Sequence, residues 1–275
     1  MRGRYRDGRA LQFGGDPACG HNARGRIDGP RILPDAGAPV PNPESQPVIP
    51  MQVFVVGTGK LAAELLGSHT LDPATCHVMR WPATPPADAR SIVVHAGSGR
   101  ELPAAIAFCS ATASPLVELS TGSALEAGSY DFPIVLCPNT NILMLKFMSM
   151  LETSGHLFRD CRITVTESHQ AGKTSVPGTA VGIAASLGVP PEDIRSVRDP
   201  HVQRGELGIP DDQLGRHAYH RIRIDDGACS LQLESRVYGA SPYADGVSRI
   251  VEAVRQRDLE RRRYSIVEFI RNGWL

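Results

Sequence analysis

The sequence predicts an α/β protein, with an N-terminal Rossmann dinucleotide-binding domain and an α+β C-terminal domain built on a mixed or antiparallel sheet. Three observations lead there. Between residues 51 and 140, short β-branched apolar runs alternate with helical segments, the pattern of a parallel sheet covered by helices. The glycine pattern of "VVGTGKLA" falls between the first such run and the first helix, where a dinucleotide fingerprint has to stand. Past Asn139, alternating segments flank an Asp-Gly pair, which is the signal of a hairpin.

The elements follow in order. "QVFVVG" is an apolar run suited to a buried parallel strand, and "KLAAELLGS" is the helix after it. "CHVMRW" and "SIVVHAG" are the next strands, and "ELPAAIAFCSATA" carries apolar residues at helical spacing. "PLVELSTG" and "FPIVLCPN" supply two more strands. The second region has a helix at "ILMLKFMSMLETSG", a strand at "CRITVTESH" and a helix at "GTAVGIAASLG". The hairpin is "HAYHRIRI" and "CSLQLESRVYG" around "DDGA". From about Gly246, "VSRIVEAVRQRDLERRR" is an amphipathic helix whose "RQRDLERRR" end is a solvated face, and "YSIVEFIRNGWL" closes the chain. Residues 51–140 with 247–275 are assigned to the dinucleotide domain, and 141–246 to substrate binding and oligomerisation.

Residues 1–50 have no such periodicity. They are Gly- and Arg-rich, then Pro-rich, and are expected to be a disordered extension because they bury too little apolar surface to offset chain entropy. An upstream-extended translation start is one expectation for them, since Met51 opens the first strand directly. A mitochondrial-type targeting peptide fits less well, because Asp7, Asp16 and Asp28 are present.

Composition narrows the function classes. The chain has 275 residues, 41% hydrophobic and 21% charged, with 29 basic residues against 29 acidic ones. A zero net charge leaves no polyelectrolyte footprint for nucleic acid or anionic lipid, so neither partner is expected. No apolar run reaches the length of a membrane span. The six cysteines contain no Cys-x-x-Cys pair, which argues against a metal knuckle and for a reducing cytoplasm.

The candidate cofactor residues start at the fingerprint. Gly57 permits the tight turn, Gly59 lets the backbone approach a pyrophosphate, and Ala62 allows close helix packing. Lys60 and Leu61 open the helix, whose free N–H groups favour an anion. The second strand ends at Arg80 where an NAD binder places an acid. A cation there suits the 2′-phosphate of NADPH, with NADH kept as the other cofactor; a solvated strand-end charge is the alternative reading. Thr121 and Gly122, at a later strand end, are placed beside the nicotinamide.

"ESHQAGKTSVPGTA" then supplies Glu167, Ser168, His169, Gln170, Lys173, Ser175 and Pro177–Ala180. This stretch resembles the E-[AG]-H-H-x-x-K-x-D-x-P-S-G-T-A signature of the 4-hydroxy-tetrahydrodipicolinate reductase family of lysine and diaminopimelate synthesis. "PLVELSTG", "CPNTNI", "GRHAYHRIRI", "LESRVYGASPYADGV" and the C-terminal tail resemble further family segments in the same order. Gln170 stands in place of the second family histidine and Ser175 in place of an aspartate. The loop before Gly-Thr is one residue shorter, and "HAGSG" replaces a family Phe-Thr. The resemblance implies a Rossmann domain completed by the C-terminal helix, a homotetramer, and a small cyclic imine or enamine dicarboxylate as substrate.

Residue chemistry fits that expectation. His169 can donate a proton, as imidazole side chains do in general acid catalysis. Lys173 is a compact cation for a carboxylate or an imine nitrogen. Gly178 and Thr179 open a helix after Pro177, and their N–H groups suit the other carboxylate. Gln170 can only hydrogen-bond. His169, His201, His217 and His220 raise the thought of a metal, but none is expected, because spacing of i, i+3 sends 217 and 220 to opposite strand faces; the family resemblance implies that His217 can approach the substrate, with a simple strand histidine as the alternative. Arg236 is read as either a cavity cation or a surface charge. Another imino- or keto-acid reductase, or a non-catalytic dinucleotide-binding regulator, remain the rival functions.

Overall fold

The computed structural model describes residues 50–82, 84, 89–174, 177–239 and 243–275. The extension up to residue 49 and Ser175 lie outside the described residues. All described elements fall in one unit, Gln46–Leu275.

Strand β1 (Met51–Val56) leads into helix α1 (Lys60–Ser68), then β2 (Cys76–Arg80), β3 (Ile92–His95), α2 (Leu102–Thr112), β4 (Leu116–Glu118) and β5 (Ile134–Leu136). These strands form a parallel sheet in the order β10-β5-β4-β3-β1-β2, closed at one edge by β10 (Arg263–Ser265). The apolar runs are continuous because both faces are covered. Alternation along β1 shows it: Val53 and Val55 pack with Ala62 and Leu65 of α1 and with Val247, Ile250 and Val254 of α6 (Ala244–Arg255). Phe54 and Val56 face the other way, against Leu102, Ala105 and Phe108 of α2.

The second sheet has the order β7-β6-β8-β9. Strand β6 (Arg162–His169) runs antiparallel to β8 (Ala218–Asp225), which pairs antiparallel with β9 (Ser230–Val237), while β7 (Arg195–Val197) is parallel to β6. One face packs on α3 (Ile142–Ser154) and α4 (Gly178–Leu187) through Val165, Ile222, Ile224, Ile183 and Leu187. The predicted fold class therefore stands, mixed sheet included.

Several elements differ from the sequence reading. The amphipathic helix ends at Arg255, so Arg257–Arg263 is not a helix face; Leu259 and Tyr264 are buried and draw the chain back to the sheet. There Arg263–Ser265 becomes β10, register-paired with Ile134–Leu136, so the C-terminal segment adds a strand as well as α7 (Ile266–Arg271). A capping box between Ser265 and Glu268 starts that helix. Strand β7 and the short helix α5 (Pro200–Gly205) carried too few residues to show a period.

Candidate active site

The strand order reverses beside β1, with β2 on one side and β3 on the other. In open α/β sheets the ligand crevice lies at that switch point, beyond the carboxyl ends of the strands. The sequence puts its glycine turn there. Gly57 has φ +126°, and a Cβ on it would stand 2.7 Å from the Ala96 carbonyl oxygen, so only glycine lets the ends of β1 and β3 approach this closely. A Cβ on Gly59 would meet nothing within 4 Å, which leaves open space at the start of α1. That helix has no side-chain cap and no acidic residue in its first turn, so its N–H groups and dipole are available to an anion.

Under this turn lies a buried pair that the sequence reading did not single out. His95 and Glu118 are register neighbours on β3 and β4, with His95 Nδ1 2.8 Å from Glu118 Oε1. Glu118 also accepts from the Ser120 N–H and the Ser123 hydroxyl, which fixes the loop carrying Thr121 and Gly122. Burial works to raise the Glu118 pKa, but these hydrogen bonds, His95 first, leave it lowered.

The other wall of the cleft is built from β6. Alternation places Glu167 and His169 on the face that carries Val165 lower in the strand. The apolar floor thus turns polar where the strand reaches the start of α4. His169 Nδ1 lies 2.8 Å from Glu167 Oε2, and His169 is 14% exposed while Glu167 is fully buried. Arg198 holds both carboxylate oxygens, at 2.7 and 3.1 Å. Burial pushes the Glu167 pKa up; hydrogen bonds from His169, Arg198 and Ser196 outweigh it and hold the carboxyl near 2. The ionised carboxylate orients the imidazole and provides a counter-charge whenever the ring carries two protons. Arg198 also donates from Nε to the Lys173 carbonyl at 2.8 Å, so one guanidinium sets both the histidine and the lysine segment.

The two further histidines close round His169. His220 pairs in register with Glu167, which makes it the diagonal neighbour of His169 on the same face; their rings are 5.9 Å apart. His217 precedes β8 and is not held to its alternation. It bonds Ser168 on the far face at 2.9 Å, yet its ring stacks 6.5 Å from His169. The expectation that 217 and 220 diverge is thus corrected, since both border the cleft. Burial lowers both pKa values, with His169 adding to the effect, and brings His220 to about 4. Among the described residues no group of three or more His, Cys, Asp or Glu is disposed to hold a metal.

One cleft of about 1010 Å³ brings most of the predicted residues together. Lys60, Leu61, Thr121 and Gly122 line it from the parallel sheet, and His169, Gln170, Lys173, Gly178 and Thr179 from the mixed one. Helix α4, like α1, starts with no side-chain cap and no acid in its first turn. Its Thr179 hydroxyl accepts from Asn139 Nδ2 at 3.1 Å. Gly57 and Gly59 directly precede α1 and are not among the residues lining the cleft. Arg80 is exposed at the end of β2, outside the residues lining the cleft. His201 is exposed on α5, and Arg236 pairs with Glu234 on β9; neither lines the cleft, so Arg236 is a surface charge.

Sequence reasoning missed Arg198 and Gln203, the latter fully buried and donating to Ser168 Oγ and the His169 carbonyl. The Glu167–His169 pair could have been found from its i, i+2 spacing on a strand. Nothing local marks Arg198, which lies 31 residues from its partner.

No protein-family model matches the chain. Over 153 residues it is 27% identical to the probable 4-hydroxy-tetrahydrodipicolinate reductase 1, chloroplastic, of Oryza sativa subsp. japonica, covering 50% of this chain and 45% of the relative. Over 154 residues it is 28% identical to 4-hydroxy-tetrahydrodipicolinate reductase 2, chloroplastic, of Arabidopsis thaliana, covering 50% and 44%. The chain thus spans less than half the length of these curated relatives. Among solved structures, the dipicolinate-bound dihydrodipicolinate reductase from Paenisporosarcina sp. TG-14 covers 79% of this chain and 98% of its own, with a TM-score of 0.56 and 15% identity. That likeness shows a shared fold, and the named relatives bear out the family resemblance read from the motifs.

Proposed function

We propose that this chain, a relative of the 4-hydroxy-tetrahydrodipicolinate reductases, is an NAD(P)H-dependent reductase of a cyclic imine or enamine dicarboxylate in lysine and diaminopimelate synthesis. The observation that carries the reading is the single cleft that joins the opening of α1 to His169, Lys173 and the opening of α4. Two uncapped helix starts on one cleft are two anion sites. One suits a pyrophosphate and the other a carboxylate.

The residues present fit a dinucleotide. The Gly57 turn excludes any side chain, Gly59 leaves the start of α1 open, and the loop held by Glu118 presents Thr121 and Gly122 to the cleft. When bound, the nicotinamide cofactor supplies the hydride. Arg80 is our candidate for the 2′-phosphate, which favours NADPH over NADH. Lys173 neutralises a carboxylate or donates a hydrogen bond to the imine nitrogen, and Gly178 with Thr179 holds the other carboxylate. His169, oriented by Glu167, delivers a proton from Nε2 to the atom at the other end of the double bond that takes the hydride, while Gln170 adds a neutral hydrogen bond. Residues 51–140 and 247–275 serve the cofactor in this scheme, and 141–246 serve the substrate and subunit contacts.

The working form we propose is a homotetramer in the cytoplasm. The five cysteines among the described residues are all free, which supports a reducing compartment. No helix among the described residues is long and apolar enough to cross a membrane.

The test is oxidation of NADPH with freshly prepared dihydrodipicolinate, beside a panel of other imino and keto acids. Turnover that is fastest with dihydrodipicolinate supports the assignment. Turnover only with another acid would transfer the reading to that substrate. Cofactor binding with no turnover, and no effect of His169→Ala, would leave a dinucleotide-binding regulator.

A further inference from the structure

His220 is placed unlike any other buried histidine of the mixed sheet. It is 3% exposed, and its Nδ1 has a partner in the Ser235 hydroxyl at 3.2 Å, across the β8–β9 ladder. Its Nε2 is buried with no hydrogen-bond partner among the described residues, a costly state for a polar atom. His217, by contrast, has both nitrogens engaged: Nδ1 with the Gln213 carbonyl and Nε2 with Ser168. Both rings border the cleft, but only His220 shares the strand face of Glu167 and His169.

We infer that His220 is a further substrate-contacting residue, whose Nε2–H donates to a carboxylate oxygen of the dicarboxylate beside His169. The inference rests on the function proposed above and names one more determinant of its substrate class. Ser235 makes the contact adaptable. A hydroxyl can donate or accept, so an arriving anion draws the ring proton to Nε2 while Ser235 donates to Nδ1. The neutral form that burial favours supplies this donor without setting a second fixed cation next to His169, where it would repel a protonated proton donor. The unmet nitrogen is then satisfied only when substrate is bound, which separates a dicarboxylate from an analogue lacking that oxygen.

The experiment uses the full chain and pyridine-2,6-dicarboxylate as the probe, titrated calorimetrically into protein saturated with NADPH, together with steady-state kinetics on dihydrodipicolinate. His220→Phe keeps a ring and removes both nitrogens. Its probe Kd and substrate KM are expected to rise by roughly tenfold to a hundredfold, with kcat changed far less and the NADPH Kd unchanged. His220→Gln, which can still donate, is expected to recover part of the loss. Ser235→Ala, which leaves the ring in place, gives a smaller loss in the same direction and carries the test if the phenylalanine variant does not fold. Wild-type probe affinity and KM in His220→Phe, or in Ser235→Ala and His220→Gln together, would overturn the inference and leave the function standing. If the wild type with NADPH bound takes up no probe and reduces no dihydrodipicolinate, the function fails and the inference goes with it.

Discussion

The two sheets build their sides of the cleft by different means. On the parallel sheet the work is done by backbone: a glycine turn at the end of β1 and the bare start of α1. On the mixed sheet it is done by side chains. Glu167, Arg198, Ser168, Gln203 and His217 form a buried network that sets His169 and the segment of Lys173. Backbone recognition is written in consecutive residues and tolerates change elsewhere. A side-chain network depends on groups far apart in the chain, and each member is exposed to loss of its partners.

That contrast yields an order of expected damage. The largest effects belong to the network. Arg198→Met strips the guanidinium from a fully buried carboxylate and is expected to cost about 3 kcal/mol of folding stability, read from urea unfolding. Loss much below this would mean that Ser196 and His169 suffice to hold Glu167. Lys173→Ala leaves the fold intact and removes a charged substrate contact, for a loss of about 2–4 kcal/mol in transition-state stabilisation measured as kcat/KM.

On the backbone side, Gly57→Ala must shift either its φ of +126° or the Ala96 carbonyl. A cost of about 1–3 kcal/mol is expected, seen as weaker NADPH binding in calorimetry together with a lower thermal midpoint. Arg80→Ala is milder: an exposed strand-end cation contributes about 1 kcal/mol or less, so the NADPH-to-NADH preference should narrow by only a few-fold while folding is untouched. An unchanged ratio would assign the 2′-phosphate to other residues.

A separate signal is in pH. His217 and His220 have folded-state pKa values below 6.5, with His220 at about 4. The unfolded chain therefore binds more protons in this window, and stability should fall as pH drops from about 6.5 toward 4. Glu167 is shifted in the same direction, with a folded value near 2; its contribution is full above its unfolded value and is lost as pH falls from there through about 2. Denaturant melts across pH should show a shallower slope between 6.5 and 4 in His220→Phe than in the wild type.

The same contrast explains what could be read in advance. Strand β1 and helix α1 were legible because their apolar period and glycines are contiguous, and α4 was legible from Pro177-Gly178-Thr179. The placement of His169, Gln170, Lys173 and Thr179 on one cleft followed from a single stretch of chain. Arg198 was not legible, because it reaches Glu167 through a three-residue strand with no periodicity of its own. That His217 and His220 would border one cleft was not legible, because the alternation rule does not hold for a residue that precedes its strand. β10 hid inside a basic run, where Arg263 sits on an edge strand and only Tyr264 points into the core.

The claim on which the rest depends is that a nicotinamide and a dicarboxylate meet between the two sheets. A crystal structure of the chain with NADP+ and pyridine-2,6-dicarboxylate tests it most directly. The account predicts the pyrophosphate at the start of α1, the nicotinamide beside Thr121 and Gly122, and the dicarboxylate against it, within hydrogen-bonding reach of His169 and Lys173. A dicarboxylate bound elsewhere, or a nicotinamide turned away from His169, would contradict it.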